Sequence, residues 1–430
     1  MSDTVTATHT PAHTTTAPDT RTAEHTRRRS GGFVVMALTL LVLVAQASAP
    51  SPLYPVYQAE WNLSPVGVTS VFAVYVLGLL LTLIVVGSLS DYIGRRPVIL
   101  AALVIALAGL LVFATATNIG GLLLARALQG ASVGAATGAL GAALIDRQPA
   151  GRGKLAAVLN GAIPPAALTF GAIVSGLLVE FAPDPTTTVY LVFGALIVVA
   201  AVAVLVVPEN HTPRAGALRS LRPTISLPRE VRKVFGAVIG CMIAAWALGG
   251  LYLGLGPTVV ASILHIENHL AAALAVATLT GVGAITGLLI QKSDARTSML
   301  VGAGALIVGP ILTVVALELD STWGFFASTA LAGVGFGAAF QSALRMVLAV
   351  TPEGARAGVL STMYLVSYLA FGLPSIIAGV LVPSFGLLAV VAGYAIAVAV
   401  ISLCALLLQI FLRSEKAAES DADALDALAL

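Results

Sequence analysis

The sequence predicts an all-α membrane protein of twelve transmembrane helices in two pseudo-symmetric six-helix bundles. Three observations carry that prediction. Hydrophobic residues make up 58% of the chain and charged residues only 10%, against roughly 25% charged in soluble domains. The apolar residues gather into runs of about 20, the length that crosses about 30 Å of hydrocarbon. Apart from Arg126, Lys and Arg occupy alternate connecting segments and leave the others empty. In lipid each backbone polar group must be satisfied within its own segment, so the runs read as helices.

In chain order the runs lie near 33–50, 67–88, 98–117, 119–144, 155–180 and 187–207, then near 234–262, 270–290, 298–318, 324–346, 357–383 and 385–411. Basic residues sit at Arg21, Arg27, Arg28 and Arg29, at Arg95 and Arg96, at Arg147, Arg152 and Lys154, and between Arg214 and Lys233. They recur at Lys292 and Arg296, at Arg345 and Arg356, and at Arg413 and Lys416. Lys and Arg favour the cytoplasmic side. Both termini are therefore expected in the cytoplasm, in a multi-pass protein of the cytoplasmic (inner) membrane, with the lipid bilayer as its surroundings. The net charge of +2 follows from that topology, and no nucleic-acid partner is expected.

The first run invites another reading. Arg27 to Arg29, the apolar stretch from Phe33 to Val44 and Ala47-Ser48-Ala49 look like a secretory signal with its cleavage site. Pro50 would follow the cut, a poor position for cleavage, and losing the run would leave eleven helices, so retention is expected. Cys241 and Cys404 are isolated within runs and support neither a disulfide framework nor a thiol metal site.

Shifting the chain by 203 residues aligns Gly78 with Gly281, Gly121 with Gly324, Gly130 with Gly333, Gly134 with Gly337, Gly151 with Gly354 and Gly176 with Gly379. Chance would align about two pairs among 42 glycines. The same shift pairs Asp91 with Asp294 and Pro149 with Pro352, and it lays Ser175–Val179 on Ala378–Val382. Two six-helix halves of like topology form a transporter architecture, with the substrate site between them near the midplane. The expected domains are a disordered tail over 1–32, a first bundle over 33–207, a cytoplasmic linker rich in Pro and Arg over 208–233, a second bundle over 234–411 and an acidic tail over 412–430.

Between the second and third runs lies Gly87-Ser88-Leu89-Ser90-Asp91-Tyr92-Ile93-Gly94-Arg95-Arg96. Its glycines permit a tight turn between packed helices. Asp91 is an anion suited to a helix N-terminus or to a cation across the interface, and Arg95 can reach Asp146 at the inner end of the fourth run. The loop resembles the signature G-x-L-x-D-R-x-G-R-R/K of the major facilitator superfamily, with Tyr92 in place of the usual Arg. The resemblance extends from 33 to 411 and implies the fold of that superfamily. It implies a conformational latch of Gly87, Asp91, Gly94, Arg95, Arg96 and Asp146. Near Asp294 the corresponding loop lacks both glycines, so the second latch reads as degraded.

In the fourth run, Arg126-Ala127-Leu128-Gln129-Gly130 resembles the superfamily's R-x-x-Q-G motif. An arginine near a span centre costs about 2.5–3.5 kcal/mol on insertion scales, so Arg126 should face the bundle interior or a wet cavity. Arg126, Gln129 and Gly130 are the candidates for coupling or substrate contact. The tenth run repeats the small-residue stripe with Gly333, Gly337 and Gln341, but Thr329 stands where Arg126 would be. In the fifth run Asn160-Gly161-Ala162-Ile163-Pro164-Pro165 lacks the spacing of the exporter signature G-x-x-x-G-P-x-x-G-G. Kinks are expected there and at Pro374.

No Asp or Glu lies deep in a run, and Gln46 is the polar residue of the first. His265 and His269 flank Glu267 in an outer loop, a weak pattern that leaves no metal expected. Gly151-Arg152-Gly153-Lys154 lacks the spacing of a nucleotide-binding loop, so neither a cofactor nor ATP-driven pumping is expected. No catalytic constellation suggests an enzyme. The candidates for a central cavity are Gln46, Tyr75, Asn160, Trp246, Tyr252, Gln341, Tyr364 and Tyr368. Tyr364 and Tyr368 share a helix face. The expected function is secondary active transport of a small molecule by alternating access, as a monomer. Proton-coupled efflux of amphipathic compounds or drugs, as an antiporter of the drug-efflux-like branch, is the leading form. The alternative is an importer or facilitator of a small organic anion or metabolite.

Overall fold

Twelve helices among the described residues are long and apolar enough to cross a membrane. The computed structural model describes residues 20–149, 151, 155–209, 215–221 and 225–429. Residues 1–19 of the expected tail, and Arg152, Lys154, Arg214 and Arg222 of the expected cytoplasmic cations, lie outside them. Spans 1 to 6 are Ser30–Trp61, Pro65–Val86, Arg95–Ala114, Ile119–Asp146, Leu155–Phe181 and Pro185–Val206. Spans 7 to 12 are Arg229–Ser262, His269–Lys292, Ala295–Glu318, Thr322–Ala349, Gly358–Phe385 and Leu387–Phe411. The face carrying Arg95 and Arg147 is called inner below, and the opposite face outer.

Local chemistry sets many of the helix starts. Ser64, Asn118, Asn268 and Ser321 accept the backbone N–H three residues on, from Gly67, Gly121, Ala271 and Gly324, and so begin spans 2, 4, 8 and 10 on the outer side. Span 1 departs from expectation at both ends. Its helix starts at Thr20, inside the expected disordered tail, because Ala, Glu and Arg carry helical propensity up to the apolar run. Beyond Ser48 the chain turns through the short 3₁₀ helix Ser51–Leu53 and re-enters the bundle as the helix Tyr54–Trp61. Pro50, Pro52 and Pro55 break the α-helical ladder there, yet Ser51, Leu53, Tyr54 and Tyr57 are buried. Spans 5 and 11 run as continuous helices with Pro164, Pro165 and Pro374 inside them.

Each half has its own apolar core, and spans 1, 4 and 7 are the most buried (67, 61 and 67%). Leu81, Val104, Val199, Leu289 and Ile410 stand exposed on the outside, as expected for a surface solvated by lipid. Glycines that coincide in the sequence repeat mark helix crossings. At Gly130 a Cβ would collide with the Tyr75 carbonyl, and at Gly333 it would lie 2.8 Å from the Leu279 carbonyl, so spans 4 and 10 cross spans 2 and 8 in the same way.

The halves meet where span 5 packs on span 8 and span 2 on span 11. Hydrogen bonds across the divide run from the midplane outward. Thr169 and Thr280 hydroxyls lie 2.8 Å apart, Ser51 Oγ donates to the Leu253 carbonyl at 2.8 Å, and Thr258 Oγ1 donates to Gln58 Oε1 at 3.1 Å. The His269 N–H, at the start of span 8, donates to Glu180 Oε2 at 2.8 Å. Two glycines related by the repeat complete the closure, since a Cβ at Gly176 would strike Ala273 and one at Gly379 would strike Thr69. Glu180→Gln should loosen this outer seam, because a bond to a charged acceptor is stronger than a neutral one. We expect the His269 amide to exchange hydrogen about tenfold faster in the variant. Unchanged exchange would show that Glu180 does not hold the seam.

Candidate functional site

Two groups of residues stand out, one inside the first half and one between the halves. Arg126 is fully buried a quarter of the way along span 4. Its Nη1 donates to the Ala47 carbonyl at 2.9 Å and to Gln129 Oε1 at 2.5 Å, and its Nη2 donates to the Tyr54 hydroxyl. Gln129, one turn on and therefore on the same face, donates through Nε2 to the Gln46 carbonyl at 2.8 Å. Gln46 Nε2 lies 3.4 Å from Ser132 Oγ. The guanidinium carbon sits 5.6, 5.3 and 5.9 Å from the ring centroids of Tyr54, Tyr75 and Phe113. Ring faces attract a cation most when both are desolvated. Among the described residues Arg126 has no carboxylate in ion-pair range, and its Nε has no acceptor.

The cation is thus held by neutral oxygens and rings that join spans 1, 2, 3 and 4, including the outer helix of span 1. One expectation changes. Gln46 is 0% exposed and bonded into this network, so it does not line a central cavity. Tyr75, 5% exposed, covers the guanidinium. Tyr54 was missed because nothing in the linear pattern links it to Arg126, and its stretch reads as a loop broken by prolines.

At the inner end, Arg95 is held by Asp91 through Nη1, by Ser90 Oγ at 2.8 Å and by Asp146 Oδ2, 3.3 Å from its Nε. Gly94 takes φ +104°, a conformation that side chains resist, and it precedes span 3. Gly87 has no room for a Cβ against the Leu83 carbonyl. Glu209, which the sequence did not single out, accepts the Arg96 N–H at 2.7 Å, while the Arg96 side chain donates to the Leu205 carbonyl. Both ion pairs of Arg95 stay within the first half, and the loop is tied to the linker by Ser88 Oγ donating to the Ser220 carbonyl at 2.8 Å. In the second half Asp294 instead caps span 9, where the Thr297 N–H holds its carboxyl below the usual range. Exposed ion pairs contribute about 0–1 kcal/mol. Asp91→Asn should therefore leave folding and insertion intact while slowing turnover, if the loop acts as a latch. Equal turnover of purified variant and parent would remove the latch role.

Between the halves lies an aromatic cluster. Trp246 meets Tyr368 at 4.9 Å, Phe340 at 5.2 Å and Phe371 at 5.5 Å between centroids. Tyr364 stacks on Tyr368 at 6.2 Å, and Phe72 of the first half meets Phe371 at 5.0 Å. Trp246 packs against the cores of both halves. Gln341 lies over Gly161 of span 5, on the inner side of this cluster. Asn160 Nδ2 donates to the Gly141 carbonyl at 3.1 Å, which ties it to span 4. Tyr252 corrects another expectation. Its hydroxyl lies 2.8 Å from Thr329 Oγ1 and its ring is buried in the core of the second half, beside a cavity of about 20 Å³ lined by Leu248, Pro310, Thr313 and Phe325. It stands six residues beyond Trp246 in the same helix, about 240° further around its axis, and so points away from the central face that Trp246 occupies. Phe72, Phe340 and Phe371 were missed because buried aromatic residues in a span look alike in sequence. Among the described residues no three His, Cys, Asp or Glu stand together to hold a metal ion.

A family model described as Major Facilitator Superfamily matches residues 36–321. No curated protein sequence matches the chain. Among solved structures, that of the nucleoside transporter NupG superposes with a TM-score of 0.67 at 13% sequence identity, covering 89% of this chain and 99% of that one. At that identity the likeness is one of fold.

Proposed function

This chain belongs to the Major Facilitator Superfamily, and on that premise we propose that it is a secondary active transporter that moves an amphipathic small molecule across the cytoplasmic membrane by alternating access. The observation that carries this reading is the aromatic cluster around Trp246, which packs against both halves at mid-depth, where a rocking motion exposes it to each side in turn. The outer hydrogen bonds would then have to break for the outward-facing state. We propose efflux as the direction and protons as the coupling ion, working in a monomer with both termini in the cytoplasm. The support is the Arg126-Gln129-Gly130 motif and the largely apolar cluster. We assign Gly87, Asp91, Gly94, Arg95, Arg96 and Asp146 to the inner latch.

Uptake or facilitated movement of a small organic anion or metabolite is the second reading. It draws on a buried cation without an acid beside it among the described residues and on the fold shared with a protein described as a nucleoside transporter. The complete burial of Arg126 weighs against an anion bound to it in this conformation. Inverted vesicles with and without a proton gradient, screened with cationic dyes, organic anions and uncharged aromatic compounds, test both. Saturable flux that reverses with the gradient is expected. Flux that never saturates would replace the carrier with a channel.

A further inference from the structure

Trp246 stands halfway along span 7, where Phe340, Tyr368 and Phe371 meet its ring nearly edge to face. Within this enclosure its indole nitrogen is buried and has no hydrogen-bond partner among the described residues. That nitrogen can only donate, and leaving a buried donor unmatched costs free energy. An N–H against a ring face is a second-order contact and does not meet the need. Resting on the transporter reading above, we propose that Trp246 donates this N–H to an acceptor on the transported molecule. The molecule would be an uncharged, flat aromatic compound bearing a carbonyl, nitro or ring-nitrogen acceptor.

The absence of charge follows from the surroundings. No Asp or Glu lies deep in a span, so a cation would find ring faces but no anion. It would also feel Arg126, whose guanidinium contacts Tyr75 at the end of a line of rings running through Phe72 to Phe371 and Trp246. An anion would find that same guanidinium sealed beneath Tyr54, Tyr75 and Phe113. An uncharged ring sheds the least hydration on entry, and it can stack or meet edge to face with Tyr364, Tyr368 and Phe340. Gln341, which follows Phe340 in span 10, carries its amide against Gly161 and Gly287.

The test compares wild type with Trp246→Phe, which keeps an aromatic ring and removes the donor. Binding of chloramphenicol and uridine (uncharged), ethidium (a cation) and benzoate (an anion) is measured on purified protein in lipid nanodiscs. Melting temperature is followed in parallel. We expect at least one uncharged probe to bind, with a Kd about tenfold weaker in Trp246→Phe at an unchanged melting temperature, the scale of one hydrogen bond. Equal affinity in the two proteins, tight binding of ethidium or benzoate in preference to the uncharged pair, or no binding of either uncharged probe would each overturn the proposal. Should Trp246→Phe not fold, Trp246→Met, which also lacks a strong donor, is read by the same criteria. Transport in vesicles separates the two levels. Movement of ethidium or benzoate alone would defeat this inference and keep the transporter, whereas binding of an uncharged probe that weakens in Trp246→Phe, without movement of any of the four, would keep the N–H contact to a bound ligand and remove the transport reading.

Discussion

Replacing Arg126 with alanine should cost both stability and transport. The side chain is 0% exposed and donates to the Ala47 carbonyl, Gln129 Oε1 and the Tyr54 hydroxyl. Truncation leaves three buried acceptors, each an unmatched group costing about 1–3 kcal/mol, and opens a void beneath three rings. Relief of the buried charge offsets part of this, so a net loss of about 2–4 kcal/mol is expected. Thermal unfolding in detergent would register it as a lower melting temperature, with reduced insertion. Arg126→Met separates the causes by refilling the volume without donors. If Met restores the melting temperature but transport remains at least about a hundredfold below wild type, the guanidinium serves transport as well as structure. Arg126→Lys should rescue poorly, because an ammonium cannot span carbonyl, amide and hydroxyl as a planar fork does. A stable, fully active alanine variant would remove both roles.

Gly130→Val should prevent folding of the first half. A Cβ there would overlap the Tyr75 carbonyl and come within 2.9 Å of the Leu79 nitrogen, and both are backbone atoms of span 2. No rotamer change relieves such a clash. Spans 2 and 4 would have to separate, which would pull Tyr75 from Arg126 and cost more than the about 1–3 kcal/mol of ordinary overpacking. Gly304→Val is the matched control, since nothing lies within 4 Å of its Cβ position. Yield of monodisperse protein should collapse for the first variant and stay near wild type for the second. Comparable yields would mean that the crossing is looser than the glycine contact implies.

Much of this architecture was legible in the chain. The twelve spans follow from composition and length, which act locally. The alternating cations predict sidedness through the same local rule, and the repeat of 203 residues predicts two halves of one design. Gly130 and Gly333 coincide in that repeat because each permits the same helix crossing. Arg95 and Asp146 could be linked in advance because the short outer loop over 115–118 makes spans 3 and 4 an antiparallel hairpin, which sets their inner ends side by side.

The sequence by itself therefore determined the number of spans, the pairing of the halves and the loop chemistry at the inner face. Only the tertiary structure decided which side chains share a site. It joined Arg126 to Tyr54, turned Gln46 into that network, placed Tyr252 in the core of the second half and set Phe72, Phe340 and Phe371 around Trp246. The physical reason is the solvent. In water an apolar stripe tells which helix face is buried, but lipid tails are as apolar as leucine, so hydrophobicity does not distinguish a face turned to lipid from one turned to a neighbouring helix. Packing across the spans makes that choice, through contacts between residues far apart in the chain.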